Sequence, residues 1–249
     1  MYSNLTKECY NERIKYHPEF TLSGWLIFYK EWPMKRILLI LLVLGVGVSL
    51  FAQQLPEHHF ASGSGNWGFI GNRLYQNDVK AGLAKVNLRI PQSGPMIYEF
   101  NVRYEDGIED GHGGFGIHVF VDDVIHRASW GSGNSYLLWL NYDEKPITKG
   151  IPRGFSAQLY RSTSNSTMDL VESFDLNQYA HLLTYENCVA NPVPAKIWVD
   201  GNTGEVRVYD PTDPALEDYF YLYLPTRGLR GNWVSLRTNG IKLSFAMGN

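Results

Sequence analysis

Cysteine is scarce in this sequence of 249 residues. Two cysteines allow neither a disulfide framework nor a zinc cluster made of cysteines. Charged residues make up only 19%, and a formal net charge of −3 provides no overall attraction to nucleic acid, which is therefore not a predicted partner. Helical periodicity is weak along the whole chain, which argues against a fold of alternating strands and helices.

Aromatic residues, by contrast, are plentiful: they make up 14% of the chain, together with 24 glycines that suit turns. Most apolar runs are short and alternate with polar residues, as do Tyr98, Phe100 and Val102. These patterns predict an all-β fold, a single-domain two-sheet antiparallel sandwich. At most one or two short helices are expected, one of them within residues 168–183.

One hairpin is predicted for residues 196–209, around a four-residue loop at residues 201–204. Its register keeps apolar side chains on one face and sets aromatic rings beside cations on the other. The predicted cross-strand pairs are Val199 with Val206, Ile197 with Val208, Trp198 with Arg207, and Lys196 with Tyr209.

A second hairpin is predicted for residues 233–245, because Asn239-Gly240 is a strong turn signal between two alternating segments. This register also keeps one face apolar. The predicted pairs are Leu236 with Leu243 and Val234 with Phe245, with the cations Arg237 and Lys242 facing each other.

Segments at both ends of the predicted domain carry a family resemblance. Residues 66–76 (NWGFIGNRLYQ) are an opening strand pair, residues 98–104 and 113–119 are two long strands, and residues 231–238 (GNWVSLRT) are a closing strand. Together they resemble concanavalin A-like lectin/glucanase domains. The resemblance implies a jelly-roll sandwich and a carbohydrate ligand, but function has to be argued from the site.

Residues 34–52 have the features of a secretory signal peptide. Met34-Lys35-Arg36 is a cationic start, residues 37–48 are apolar, and cleavage is predicted after Ala52. The apolar run is shorter than a membrane-spanning helix needs, and an uncleaved membrane anchor is the alternative.

Two further assignments follow from this signal. Residues 1–33 precede the cationic start and are interpreted as a non-native upstream extension or, if Met1 is the true start, as a tail. Residues 53–249 are then the β-sandwich domain, exported to the periplasm or the extracellular space, with no membrane span after signal cleavage.

Glucanases of the superfamily that this chain resembles carry three acidic residues, E-x-D-x-E or E-x-D-x-x-E, on one strand. The nearest string here is residues 105–110 (EDGIED), in which Gly107 stands where the central aspartate should be. Glycine at that position indicates a loop rather than a strand. A non-catalytic protein is therefore predicted, and a glycoside hydrolase with an atypical acid pair remains an alternative.

The same acidic loop offers oxygen ligands for a calcium ion, namely Asp106, Glu109 and Asp110. Its spacing matches no strict calcium loop, so a solvated acidic loop is the alternative. His112, next to it, is a candidate hydrogen-bonding group for a sugar, or an exposed loop residue.

Sugar binding needs flat aromatic faces and planar polar groups. Trp130 lies in a glycine-rich loop without strand periodicity, which makes it the leading candidate for a stacking platform. A polar face shared by two adjacent strands was expected to form a groove beside it. The predicted ligand-binding residues are Glu99, Asn101, Arg103, His118, Trp130, His112 and Trp198.

The sequence thus predicts an exported, non-catalytic, lectin-like β-sandwich that binds a glycan or polysaccharide, with no cofactor other than a candidate calcium ion. A structural or interaction protein of the cell envelope, with envelope proteins as partners, is the first alternative. The hydrolase is the second.

Overall fold

A computed structural model describes residues 60–107, 111–183, 192–213, 215 and 217–247, which belong to one compact unit. The predicted signal peptide, the extension before it and the calcium candidates Glu109 and Asp110 lie outside the described residues. Within the described ranges, no helix is long and apolar enough to cross a membrane.

The described chain is built from fourteen strands and one short 3-10 helix. The first seven strands are β1 (Phe60–Ser64), β2 (Trp67–Ile70), β3 (Arg73–Gln76), β4 (Ala84–Ser93), β5 (Pro95–Gly107), β6 (His112–Val121) and β7 (Asn134–Asp143). The others are β8 (Gly154–Thr163), β9 (Met168–Asp175), β10 (Val193–Asp200), β11 (Glu205–Tyr209), β12 (Tyr219–Tyr223), β13 (Arg230–Asn239) and β14 (Ile241–Met247).

These strands form two antiparallel sheets of seven strands each. Sheet I has the order β1-β4-β13-β6-β7-β8-β9, and sheet II has the order β12-β11-β10-β5-β14-β3-β2. Strands that follow each other in sequence therefore often lie in different sheets, as β4 and β5 do. The arrangement confirms the predicted all-β, two-sheet sandwich.

The core lies between the two sheets and follows from the period-two alternation of their strands. Val86, Ile117 and Leu236 project from sheet I, and Val102 and Phe245 project from sheet II; all five are buried. Because every second side chain points inward, the intervening polar residues lie on the outer face of their sheet. The polar side chains that could bind a ligand therefore lie on the two outer faces.

The hairpin of β10 and β11 has the predicted register, with Ile197 opposite Val208 and Val199 opposite Val206. The guanidinium carbon of Arg207 lies 4.5 Å from the centre of the Trp198 ring. Both the apolar inner face and the aromatic–cation outer face of this hairpin are confirmed. Lys196 likewise lies over Tyr209, with its Nζ atom 4.4 Å from the ring centre.

The prediction of a second hairpin is wrong, because β13 and β14 lie in different sheets. β13 pairs with β4 and β6, whereas β14 pairs with β3 and β5. The Asn239-Gly240 turn, with Gly240 at φ 63°, carries the chain from sheet I to sheet II. An apolar face on each strand is equally compatible with two facing sheets, so alternation did not distinguish the two arrangements. Arg237 and Lys242 consequently belong to different sheets.

The helix predicted within residues 168–183 covers only the last part of this segment. Strand β9 occupies the first half, and the 3-10 helix spans Asn177–Leu183. The amide of Asn177 fixes the start of this helix against β8, since its Oδ1 accepts a hydrogen bond of 2.9 Å from the backbone nitrogen of Phe155.

Replacing Phe245 by alanine should destabilise the domain strongly. The ring is 1% exposed and lies within aromatic contact distance of Trp67, Phe100 and Phe115. Loss of such a ring leaves a cavity, and about 3–5 kcal/mol of the free energy of unfolding should be lost in chemical denaturation. Ile147→Ala is the control, since Ile147 is almost fully exposed; an equal loss for both variants would contradict the proposed core.

Candidate functional site

The four polar residues expected to share one groove do not share a face. Glu99, Asn101 and Arg103 lie on β5 in sheet II, whereas His118 lies on β6 in sheet I. The expectation of adjacent strands is wrong because the chain crosses between sheets after β5. Alternation correctly identifies which side chains point outward, but it does not tell which sheet a strand joins.

On sheet II, the polar residues of β5 are engaged with their neighbours. The Arg103 side chain donates a hydrogen bond from Nε to Glu105 Oε1 (2.7 Å) and another from its terminal nitrogen to the Tyr75 hydroxyl (2.7 Å). The hydroxyl of Ser244 also donates to Glu105 Oε1. The hydrogen bond with Glu105 raises the pKa of Arg103. This network ties β3, β5 and β14 together.

Trp198 lies in the other half of this outer face, in a group of aromatic rings that are half-buried or exposed. Arg207 packs between Trp198 and Tyr219, with its guanidinium carbon 4.5 and 5.1 Å from the two ring centres. Strand β12, at the sheet edge, adds further exposed tyrosines. We call this group the aromatic patch; its members are Trp198, Tyr209, Tyr219, Tyr221 and Tyr223.

Three basic side chains lie close together on the outer face of sheet I. Lys85 on β4 is paired directly opposite Arg237 on β13, and His118 on β6 is paired opposite Ser235, two residues along β13. Lys85, Arg237 and His118 are 1%, 2% and 0% exposed, respectively. We call these three residues the basic cluster. Its members are held in place by strand pairing, which makes the arrangement rigid.

The cations of the basic cluster are bound by neutral oxygen atoms of the loop between β6 and β7. Lys85 Nζ donates to the Ser129 hydroxyl (2.6 Å) and to the Gly131 carbonyl (2.5 Å). One terminal nitrogen of Arg237 donates to the Trp130 carbonyl (2.6 Å). Among the described residues, neither Lys85 nor Arg237 forms an ion pair with a carboxylate.

Two tryptophans flank the guanidinium of Arg237. Its central carbon lies 4.8 Å from the centre of the Trp130 ring and 5.3 Å from that of the Trp139 ring. Gly114 on β6 leaves room for the Trp139 ring, since an added Cβ would lie 2.5 Å from a carbon of that ring. Contact with aromatic faces partly replaces the water that a buried cation loses.

Burial lowers the pKa of all three members of the basic cluster. Loss of solvent, with a smaller contribution from Arg237, lowers the pKa of Lys85 to about 7. Loss of solvent also lowers the pKa of Arg237 to about 10. The pKa of His118 falls well below its usual value, through burial and then through repulsion from Arg237 and Lys85. His118 is therefore neutral at pH 7.

Two buried nitrogen atoms of the cluster have no hydrogen-bond partner among the described residues: Nε2 of His118 and Nε of Arg237. The other ring nitrogen of His118 lies 3.1 Å from the Ser135 hydroxyl. Unpartnered polar atoms are costly inside a protein, and they often mark a place where a ligand or water supplies the missing contact.

Trp130 borders the basic cluster and is the most solvent-exposed of the residues that contact it, with 46% of its surface accessible. The following residue must be glycine, because a Cβ on Gly131 would lie 2.0 Å from the Ser164 carbonyl oxygen. The structure thus brings Trp130 and His118 to the same face. The predicted ligand-binding residues do not include Lys85, Arg237 or Trp139. From the sequence, Arg237 was identified only in the closing strand and as a cation opposite Lys242 in the second hairpin, which does not form.

Calcium binding stays a prediction, but the prediction that Gly107 marks a loop is wrong, because Gly107 ends β5 and pairs with Ile241 on β14. Asp106 is exposed at the end of β5, and its Oδ1 accepts a hydrogen bond from the next backbone nitrogen. His112 begins β6 and is half-buried. The part of the chain that the structure describes contains no group of three or more metal-binding side chains.

No family model matches this chain, and no curated protein does. Among solved structures, the carbohydrate-binding module CBM66 from Bacillus subtilis is 11% identical, covering 76% of this chain and 92% of that one, with a TM-score of 0.48. A Bacillus subtilis protein of unknown function with a galectin-like fold is 14% identical, with coverages of 76% and 86% and a TM-score of 0.45. A legume lectin-like domain from Entamoeba histolytica is 9% identical, with coverages of 81% and 99% and a TM-score of 0.42. All three are lectin-type jelly-roll folds, and at such identities they say nothing about the ligand of this chain.

Stability should depend on pH through Lys85. Its pKa is about 7 in the folded protein and 10.5 when unperturbed, so between these values the unfolded chain binds a proton that the folded chain lacks. The free energy of unfolding should therefore rise as the pH increases from 7 to 9. The charged or titratable groups that interact with Lys85 are Arg237 and His118, and His118 is neutral in this range. Tyr160 interacts with Arg237, and burial raises the pKa of Tyr160.

The measurement is chemical denaturation of the wild type and of Lys85→Met at pH 7, 8 and 9. The variant should gain less stability over this range than the wild type, because it lacks the titrating amine. Identical pH dependence in the two proteins would show that Lys85 is not the responsible group.

Proposed function

We propose that this protein is an exported, non-catalytic carbohydrate-binding protein whose ligand stacks on Trp130, at the outer face of sheet I. The observation that carries the proposal is that the Trp130 ring is held in place on one side and accessible to solvent on the other. One side is held by the buried guanidinium of Arg237, whose terminal nitrogen also binds the Trp130 carbonyl, while 46% of the residue stays accessible. A fixed and accessible indole loses little conformational entropy when a sugar ring packs against it.

Polar side chains with amide and hydroxyl groups lie on the same outer face as Trp130. Gln158 and Tyr160 lie on β8, on the same outer face, and are joined by a hydrogen bond of 2.8 Å from the tyrosine hydroxyl to the amide oxygen. Across the sheet, the Ser235 hydroxyl donates to Asn87 Oδ1 (2.6 Å). Aromatic stacking beside amides and hydroxyls is the usual composition of a carbohydrate site.

Export is proposed from the signal-like residues 34–52, and the non-catalytic role from Gly107 in the acidic string. The structure adds one observation to the second point: Glu105 Oε1 accepts hydrogen bonds from both Arg103 and Ser244. A carboxylate held in this way serves to join strands.

A role as an interaction protein of the cell envelope is the second candidate, and the aromatic patch on sheet II favours it. Tyr219, Tyr221 and Tyr223 are 44%, 41% and 57% exposed on the edge strand β12. Exposed aromatic side chains next to an unpaired strand edge are typical of protein-binding surfaces.

Replacing Trp130 by alanine should weaken glycan binding without unfolding the protein. Stacking of this kind contributes on the order of 1 kcal/mol, so the dissociation constant should rise about tenfold or less. The ligand is first found on a glycan array, and affinities are then measured by isothermal titration calorimetry.

Trp198→Ala is the matched control, since it removes a partly exposed indole from the opposite sheet. It should leave the affinity unchanged. Weaker binding in Trp198→Ala but not in Trp130→Ala would move the site to the aromatic patch, and absence of any glycan ligand would favour the envelope-partner alternative.

A further inference from the structure

We infer that the ligand is an acidic carbohydrate, and that the basic cluster on sheet I receives its carboxylate or sulfate ester group. This inference rests on the proposed carbohydrate site and adds the charge of the ligand to it. It comes from Lys85 and Arg237, neither of which the sequence prediction included in the site.

The first argument is the balance of charge. Two cationic side chains are paired directly across β4 and β13, and both are almost completely buried. The ion pairs found in the described residues involve other side chains. The hydrogen-bond partners of Lys85 and Arg237 are neutral, namely hydroxyl and carbonyl oxygens and the sulfur of Met168. Burying like charges side by side is unfavourable, and an anion placed between them would remove this cost.

The second argument is the availability of donors. Nε of Arg237 is buried and has no partner among the described residues, so it can still donate a hydrogen bond. Nε2 of His118 also has no partner there, and it can donate in the tautomer in which Nδ1 accepts from the Ser135 hydroxyl. A guanidinium group binds carboxylates and sulfates through two parallel hydrogen bonds, which a neutral hydroxyl cannot match. The unused nitrogen of Arg237 is therefore suited to an anionic oxygen.

The third argument is position. Trp130 covers Arg237, at 4.8 Å, and is itself half exposed. A sugar that packs against the accessible part of this ring can direct an acidic substituent past the ring edge towards the guanidinium. Ser129 and Gly131, on either side of Trp130, hold Lys85, so one short loop brings both cations and the tryptophan together.

A general attraction to polyanions does not account for such binding, because the chain has a formal net charge of −3. Preference for an acidic glycan must then come from a local site, and it should depend on particular cations. This dependence makes the inference testable.

The experiment compares polymers that differ only in charge. Polygalacturonate is paired with its fully methyl-esterified form, and dextran sulfate with dextran, in calorimetric titrations of the wild-type protein at pH 6, where Lys85 is protonated. At least one acidic polymer should bind at least tenfold more tightly than its neutral counterpart. The first pair reports a carboxylate, and the second reports a sulfate ester.

The variants Arg237→Met and Lys85→Met should each lose at least tenfold in affinity for that acidic polymer. Arg207→Met is the control, since Arg207 also lies against a tryptophan but on sheet II; it should bind like the wild type. Arg237→Lys keeps the positive charge but cannot form the bidentate hydrogen bond of a guanidinium group, so this variant should bind with intermediate affinity. If Arg237→Met does not fold, Lys85→Met decides the question.

Equal affinity for charged and neutral polymers, or equal losses in Arg207→Met and the cluster variants, would overturn the inference. Trp130-dependent binding of neutral glycans alone would overturn it too, while the proposed carbohydrate function would stand. If acidic polymers bind through Arg237 and Lys85 but Trp130→Ala has no effect, the anion site is supported and the stacking role of Trp130 is wrong.

Discussion

The inner faces of sheets I and II can pack together only if every second side chain of their strands is apolar, and this constraint decides where polar groups can lie. Leu236 occupies the core, so Arg237, the next residue on β13, must point to the outer face of sheet I. The same alternation on β4 places Val86 inside and Lys85 outside. Because β4 and β13 pair in register, the two cations lie side by side.

Such a pair of cations would be unremarkable on an open surface, but here it is covered. The loop between β6 and β7 lies over the pair, bound to it through the Ser129 hydroxyl and the carbonyls of Trp130 and Gly131. Apolar side chains at these two positions would fill the space without the cost of desolvating a charge. Two buried cations without an ion pair among the described residues, beside an accessible tryptophan, are the basis of the proposed binding site.

Local sequence signals predicted local structure well. The register of β10 and β11 could be predicted because four loop residues join these strands and one face had to be apolar. The sequence also predicts the turn at Asn239-Gly240. It does not predict that this turn joins two sheets, because the alternation of apolar residues is the same for a hairpin and for strands in facing sheets. The misplacement of His118 beside Glu99 has the same cause.

The site was only partly predictable for a related reason. Trp130 stood out because it lies in a glycine-rich loop outside any strand pattern. Lys85 and Arg237 look like ordinary outward-facing strand residues, and their proximity depends on pairing between strands that are far apart in sequence. Their burial depends on a loop from a third part of the chain. No pattern within one segment contains that information.

The central claim, that ligand binds at the outer face of sheet I, is tested most directly by NMR of the tryptophan indole N–H groups. Single Trp→Phe variants assign these signals, and the protein is then titrated with the most tightly bound glycan. The account predicts that the signals of Trp130 and Trp139 shift with ligand concentration, while that of Trp198 stays in place. A shift of Trp198, with Trp130 and Trp139 unchanged, would contradict it.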